Sequence, residues 1–170
     1  MGVKITRRGG SGGGGPPRFN PEAIAKVIAG LVPGMILTRT NKGIDANGQQ
    51  FAPYSARYRK HLRDLGEDPK VDLRVSGGLM NSIKARSIEI LRDAVRVVVA
   101  PDAGTSPVWT KRKDKAGRAS RAIGKQSPPH NIVGYWLHHG TPKMRARPFM
   151  GLTDEQWRTL RAAIAKVMWR

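Results

Sequence analysis

The sequence predicts an α+β fold in which a small antiparallel sheet packs against helices near the two ends of the chain. Apolar side chains recur at helical spacing after Pro21 and again after Thr153, whereas they alternate between 85 and 100. A length of 170 residues is that of one ordinary domain with one core. We therefore expect a single domain over 20–170, preceded by an arm over 1–19.

The arm is predicted to be flexible and basic. Its run GGSGGGG at 9–15 has no side chains to bury, and glycine loses more conformational freedom on ordering than any other residue. A disordered leader and an arm that reaches a partner or DNA both fit this composition.

A first helix is predicted after Asn20, because Asn caps helices, Pro21 suits the first helical position and Glu22 favours the positive end of the helix dipole. Pro33-Gly34 should kink or restart this helix. The spacing assigns four residues to one apolar face: Ile24, Val27, Ile28 and Leu31.

A turn at 45–48 and a second helix over 55–65 are predicted next, since Asp45 and Asn47-Gly48 are turn residues and Pro53 precedes the helical stretch. The turn lacks the further ligands of a calcium loop. The helix carries a basic face that is suited to phosphate, although most charged faces are only solvated: Arg57, Arg59, Lys60 and Arg63.

A β-hairpin is predicted over 85–100, after a short helical turn that Ser76 can cap. The segments ARSIEIL and AVRVVVA flank Arg92-Asp93, and branched residues alternate in both. This alternation predicts one buried face made of Ile88, Ile90, Val95, Val97 and Val99.

Residues 104–131 have almost no apolar periodicity and are predicted to be a long mobile basic insertion. Cations in such a strip can follow a phosphate backbone without fixed geometry. A tolerated insertion fits the composition equally well. The candidate contacts to DNA or to an acidic partner are Lys111, Arg112, Lys113, Lys115, Arg118, Arg121 and Lys125.

The last part of the chain predicts a helical turn at 132–139 and a terminal helix after Thr153, with Gln156 completing a capping box. Between them, Pro148 removes a backbone donor and Phe149 can fill the core, so that the arginines of RARPF should lie at the surface.

Composition excludes several classes of function. The chain has no cysteine, so disulfides, thiolate zinc sites and cysteine nucleophiles are absent, and no motif of an enzyme, metal site or cofactor site occurs. We expect no apolar run to approach the ~18 residues of a membrane span, which predicts a soluble cytoplasmic protein with no membrane partner. The formal charge of +19 predicts a polyanionic neighbour.

Several motifs, taken in order, resemble the virion-morphogenesis or tail-completion proteins of tailed bacteriophages, including the Mu-like group and the related siphophage neck proteins. The likeness spans 20–170, apart from the basic insertion. Its landmarks besides the hairpin are IDANGQQFAPYSARYRK at 44–60, LRVSGGLMNSI at 73–83, YWLHHG at 135–140 and RARPFMGLTDEQW at 145–157.

The resemblance implies a non-enzymatic virion protein, made in the host cytoplasm, that forms a ring at the neck or tail and joins the DNA-filled head to the tail. A hexamer is expected, with head-completion or connector proteins and tail terminator or tail tube proteins as partners and genomic DNA in the lumen as a further candidate. The alternative is a stand-alone basic nucleic-acid-binding protein. Subunit or partner contacts are expected at Arg145, Arg147, Phe149, Tyr135 and Trp136, with a core role preferred for Phe149.

Overall fold

The computed structural model describes the chain at 20–66, 68–73, 77–91, 94–105 and 128–168, and describes the backbone alone at 2–6, 107–113 and 119–126. In chain order, its elements are β1 (Gly2–Thr6), α1 (Pro21–Asn41), α2 (Ala56–Asp64), α3 (Gly78–Asn81), β2 (Lys84–Ile90), β3 (Ala94–Ala100), β4 (Pro107–Lys113), β5 (Ala119–Gln126), α4 (His130–His139) and α5 (Asp154–Met168). The predicted α+β class is confirmed.

The main sheet has three antiparallel strands in the order β1-β3-β2, so β3 is central. Val97 of β3 pairs with Val3 on one side and with Ile88 on the other. The prediction of a flexible arm is therefore wrong for residues 2–6, which form an edge strand. Residues 7–19 of that predicted arm lie outside the described residues.

The core lies between this sheet and the helices α1 and α5. Four successive turns of α1 each contribute one fully buried side chain to it: Ile24, Ile28, Val32 and Ile36. The sheet contributes Val95, Val97 and Val99, and α5 contributes Leu160 and Ile164. The buried stripe of α1 thus follows i, i+4 spacing, which leaves the predicted Leu31 exposed.

Helix α1 begins as predicted, with the Asn20 side chain accepting a hydrogen bond from the Ala23 N–H at 3.0 Å. It then runs without a restart past Pro33 to Asn41. Within the described residues, α1 alone is long and apolar enough for a membrane span by length and composition, contrary to the sequence expectation. Its apolar stripe is nevertheless taken up by the protein core.

The predicted hairpin at 85–100 is present, but only β3 is buried. Ile88 and Ile90 remain 48% and 46% exposed, although Ile88 pairs with the buried Val97. The two strands differ because β2 is an edge strand with a neighbour on one side only, whereas β3 has neighbours on both sides. Alternation predicted the shared face correctly, and the position in the sheet decided how much of it is covered.

The predicted structureless insertion contains a second antiparallel pair, β4–β5, which we call the basic hairpin (107–126). In its register, Lys111 lies opposite Arg121 and Thr110 opposite Ala122. The prediction of a loop was wrong because it relied on apolar periodicity. Two strands can satisfy each other's backbone hydrogen bonds without an apolar stripe of their own.

Candidate functional site

The closing segment, residues 145–152, passes between α4 and the turn at 45–48. The Arg147 N–H donates to the Leu137 carbonyl of α4, and the Ala46 N–H donates to the Pro148 carbonyl, both at 2.7 Å. Phe149 is fully buried in the core. This burial agrees with the core role that the sequence analysis favours for Phe149.

Arg147 is buried, contrary to the prediction that the arginines of this segment lie at the surface. Its Nε donates to the Ala52 carbonyl at 3.0 Å, and its Nη2 donates to the Pro53 carbonyl at 3.2 Å. The guanidinium carbon also lies 4.8 Å from the centre of the Tyr54 ring, in a cation–π contact. Arg145, by contrast, is exposed as predicted.

Burial perturbs the ionisation of this cluster. Desolvation lowers the pKa of Arg147, and the neighbouring Tyr54 and Tyr58 oppose that change. Desolvation also raises the pKa of Tyr54 to about 12. The cation thus contacts carbonyls and an aromatic face, and no described carboxylate pairs with it.

A second buried arginine, Arg39 at the end of α1, holds the other end of the closing segment. It donates to the carbonyls of Phe149 and Gly151, and to Gln156 Oε1 at 2.7 Å. Burial lowers its pKa, and the charge of Asp45 acts in the opposite direction. Sequence reasoning missed this role, because a basic residue in the last turn of a helix is usually explained by the helix dipole.

The predicted capping box of α5 is confirmed and is part of the same network. The Gln156 N–H donates to Thr153 Oγ1 at 3.3 Å, and Gln156 Oε1 accepts from the Thr153 N–H at 3.2 Å. Gln156 Nε2 also donates to the Met35 carbonyl of α1 at 2.8 Å. The closing segment is therefore fixed at both ends, and its buried members Arg147 and Phe149 present almost no surface to a partner.

An exposed apolar patch lies on the opposite side of α4. Ile132, Tyr135 and Trp136 are 41%, 62% and 41% exposed and follow the helical spacing i, i+3, i+4. The Tyr135 ring also contacts the His139 ring in a tilted arrangement, with 4.5 Å between ring centres. We call these four residues the α4 patch; it includes Tyr135 and Trp136, two of the three aromatic residues predicted to contact a partner.

The inner side of α4 is fixed by close packing at Gly134. A Cβ atom placed on Gly134 would lie 3.1 Å from Pro101 Cγ, 3.5 Å from Leu79 Cδ1 and 3.6 Å from Phe149 Cζ. This close approach holds the α4 patch outward on a rigid support. The patch and the closing segment are thus two faces of one packed unit.

A polar cluster that the sequence did not predict lies where the basic hairpin joins the domain. The His130 Nδ1 and Asp102 Oδ1 atoms are 2.7 Å apart, and Arg86 Nη2 lies 3.7 Å from Asp102 Oδ2. The hydrogen bond to His130 is the largest of several causes that lower the pKa of Asp102. A shift in strand register between Ala85 and Ser87 leaves Arg86 as the extra residue of a β-bulge, which directs its side chain to this cluster.

The predicted cationic contacts are placed only in part. Lys111, Arg112, Lys113, Arg121 and Lys125 lie on the strands of the basic hairpin, where the structure describes their backbone. Lys115 and Arg118 lie outside the described residues. Contacts of these cations with DNA or protein remain predictions.

No group of three or more histidine, cysteine, aspartate or glutamate side chains in the described part of the chain is arranged to hold a metal ion. His138 and His139 illustrate the reason. The Nδ1 atom of His138 accepts a hydrogen bond from the Met150 N–H at 3.3 Å, whereas the ring of His139 packs on Tyr135.

Comparisons of this chain with protein families, with curated proteins and with solved structures gave no match. A functional proposal therefore rests on the fold, the closing segment and the α4 patch.

Proposed function

We propose that the chain is a structural protein of a tailed-phage virion. It assembles into a ring, completes the neck or tail, and joins the DNA-filled head to the tail. The α4 patch is the observation that carries this proposal. Tyrosine and tryptophan are enriched in the centres of protein interfaces, where they supply large contact areas at a small entropic cost. A contiguous patch on a rigid helix suits repeated self-association.

The closing segment supports the same proposal indirectly. The resemblance to tail-completion proteins rests on separate motifs. Two of them, at 44–60 and at 145–157, are joined by the hydrogen bonds of Arg147 to the Ala52 and Pro53 carbonyls and by the Ala46–Pro148 hydrogen bond. These motifs thus have a common structural reason, since they build the support of the α4 patch.

The charge of the chain is compatible with a position next to DNA. A net charge of +19 produces a long-range field that attracts phosphate irrespective of base sequence. The same charge also favours the alternative of a stand-alone nucleic-acid-binding protein. The two candidates differ in the α4 patch, which a ring needs and a monomeric DNA-binding protein does not.

The first test measures assembly of the purified protein by light scattering and negative-stain microscopy, alone and mixed with connector and tail proteins. Wild type should form rings, whereas the Tyr135→Ala, Trp136→Ala double variant should remain monomeric. Leu31→Ala is the matched control, since Leu31 is an exposed apolar residue on α1 with 39% exposure.

The second test uses a phage whose copy of this gene carries an early stop codon. Separate DNA-filled heads and tails should accumulate, and wild-type protein or Leu31→Ala should restore their joining in lysates. Normal virions in the absence of the protein would exclude the neck role.

In the first test, rings that persist in the double variant would assign self-association to a surface other than the α4 patch.

A further inference from the structure

Helix α2 presents a cationic face that neither the fold nor the proposed ring uses. Four cations on this nine-residue helix are exposed to solvent: Arg57, Arg59, Lys60 and Arg63. We call them the α2 face. Its density of charge is high for one short helix. Like charges at neighbouring helical positions repel one another, so this face is electrostatically unfavourable by itself.

The helix that carries these cations is firmly held. Leu62 and Leu65 on its inner side are 1% and 9% exposed, and the Ser55 side chain caps the helix by accepting a hydrogen bond from the Tyr58 N–H at 3.2 Å. Tyr58 also packs edge-on against the Tyr54 ring, beneath which Arg147 lies. The cations are therefore displayed on a fixed support and not on a mobile tail.

The described acidic side chains do not neutralise this face. The ion pairs found among the described residues are Arg86–Asp102, Arg96–Glu89 and His130–Asp102, none of which involves α2. Asp64 is the single acidic residue within the helix itself. An external anion that binds the α2 face would therefore reduce the repulsion among its four cations.

We propose that the α2 face binds the phosphate backbone of double-stranded nucleic acid without reading its sequence. Arg57 and Arg63 are six residues apart, which corresponds to about 9 Å along a helix. Duplex DNA carries one charge per about 1.7 Å of its axis, so several phosphates face that length. Three of the four cations are arginines, whose planar guanidinium can bind a phosphate through two hydrogen bonds.

An anionic membrane fits this face less well than a duplex. Helices that bind a membrane surface insert an apolar face next to their cations. Here Leu62 and Leu65 are buried in the protein and are not available for insertion, so that the 39% exposed Tyr58 is the one large apolar side chain that α2 presents to solvent. The inference concerns a site that the proposed ring does not require, so either can fail without the other.

The test measures binding of the full-length protein to a fluorescent 30-base-pair DNA of mixed sequence across a range of KCl concentrations. The variant replaces Arg57, Arg59, Lys60 and Arg63 by glutamine, which keeps helix propensity and removes four charges. The matched control replaces four other exposed cations by glutamine: Lys26, Lys42, Arg158 and Arg161. Circular dichroism and light scattering check that both variants keep their fold and their assembly state.

The plot of log affinity against log salt concentration should become shallower by about 0.9 for each lost phosphate contact. We expect the magnitude of this slope to decrease by roughly 3 to 4 in the α2 variant and by less than about 1 in the control, with little dependence on DNA sequence. Equal losses in the two variants would overturn the proposal in favour of diffuse attraction by net charge.

Two further experiments distinguish the binding site and the partner. A variant in which 107–126 is replaced by a short glycine linker should still bind DNA, and its affinity should still fall with salt by the amount that the α2 face contributes. If this deletion abolishes DNA binding while the α2 variant binds as wild type, the proposal is wrong. If the α2 variant loses binding to vesicles of anionic lipid or to polyglutamate but not to DNA, the face serves a membrane or an acidic protein and the proposal is likewise wrong.

Discussion

At the scale of single residues, two buried arginines hold the closing segment in place through backbone carbonyls. A buried guanidinium has five N–H donors, and each unsatisfied donor or acceptor left in the interior costs free energy. Each of the three guanidinium nitrogens of Arg147 donates to one carbonyl oxygen, those of Ala52, Arg145 and Pro53. The segment at 52–53 and the closing segment are thereby joined by one side chain.

Arg147→Ala should lower the free energy of unfolding by roughly 2–4 kcal/mol, because it removes several charge-assisted hydrogen bonds and leaves buried carbonyls unpaired. Arg145→Ala is the control and should change it by less than about 0.5 kcal/mol, since that side chain is exposed. Urea denaturation followed by tryptophan fluorescence measures both. Equal stability of the two variants would mean that Arg147 does not hold these segments together.

At the scale of elements, the C-terminal end of α4 decides where the closing segment begins. Gly140 has a φ of +80°, a conformation that favours glycine, and its N–H donates to the Trp136 carbonyl at 2.8 Å. A Cβ atom at this position would lie 2.8 Å from the Ala146 nitrogen and 2.9 Å from the Met144 oxygen. This reversal of the chain after α4 therefore requires glycine at position 140.

A pair of glycine-to-alanine substitutions tests this interpretation. Gly140→Ala should lower stability by roughly 2–4 kcal/mol, because it combines an unfavourable φ with a clash against backbone atoms. Gly30→Ala should instead raise stability by about 0.5–1 kcal/mol, because Gly30 lies within α1 and an added Cβ atom would have open space around it. Thermal unfolding of both variants gives the two signs, and a neutral Gly140→Ala would show that the turn can relax.

At the scale of the whole molecule, charge is the dominant property. The cations outnumber the acidic residues, 31 to 12, and the described ion pairs neutralise few of them. A compact state with this imbalance is destabilised by self-repulsion that dissolved ions or a polyanion can screen.

The melting temperature of the isolated protein should therefore rise with ionic strength. Raising NaCl from 50 to 300 mM should increase it by about 2–5 °C, corresponding to roughly 1 kcal/mol of relieved repulsion in a domain of this size. Differential scanning fluorimetry measures the change, and the Gln variant of the α2 face should show a smaller one. A melting temperature that falls or stays constant over this range would contradict the prediction.

Local features could be predicted from the sequence alone, because their causes lie within a few residues. The Asn20 cap, the capping box of Thr153 and Gln156, and the alternation of Val95, Val97 and Val99 each depend on neighbours along the chain. The α+β class follows from their order. Of the candidate site, Tyr135 and Trp136 follow from the resemblance to tail-completion proteins, and their contact with a partner stays a prediction.

Burial and strand pairing were decided only by the tertiary structure, because they depend on what covers a residue from elsewhere in the chain. Ile88 is exposed although it alternates like Val97, since β2 is an edge strand and β3 is central. Arg39 and Arg147 are buried because carbonyls about a hundred positions away meet their donors. The sequence determined which segments become helices and which of them are basic; packing determined which arginines hold the fold together and which remain free to meet a partner.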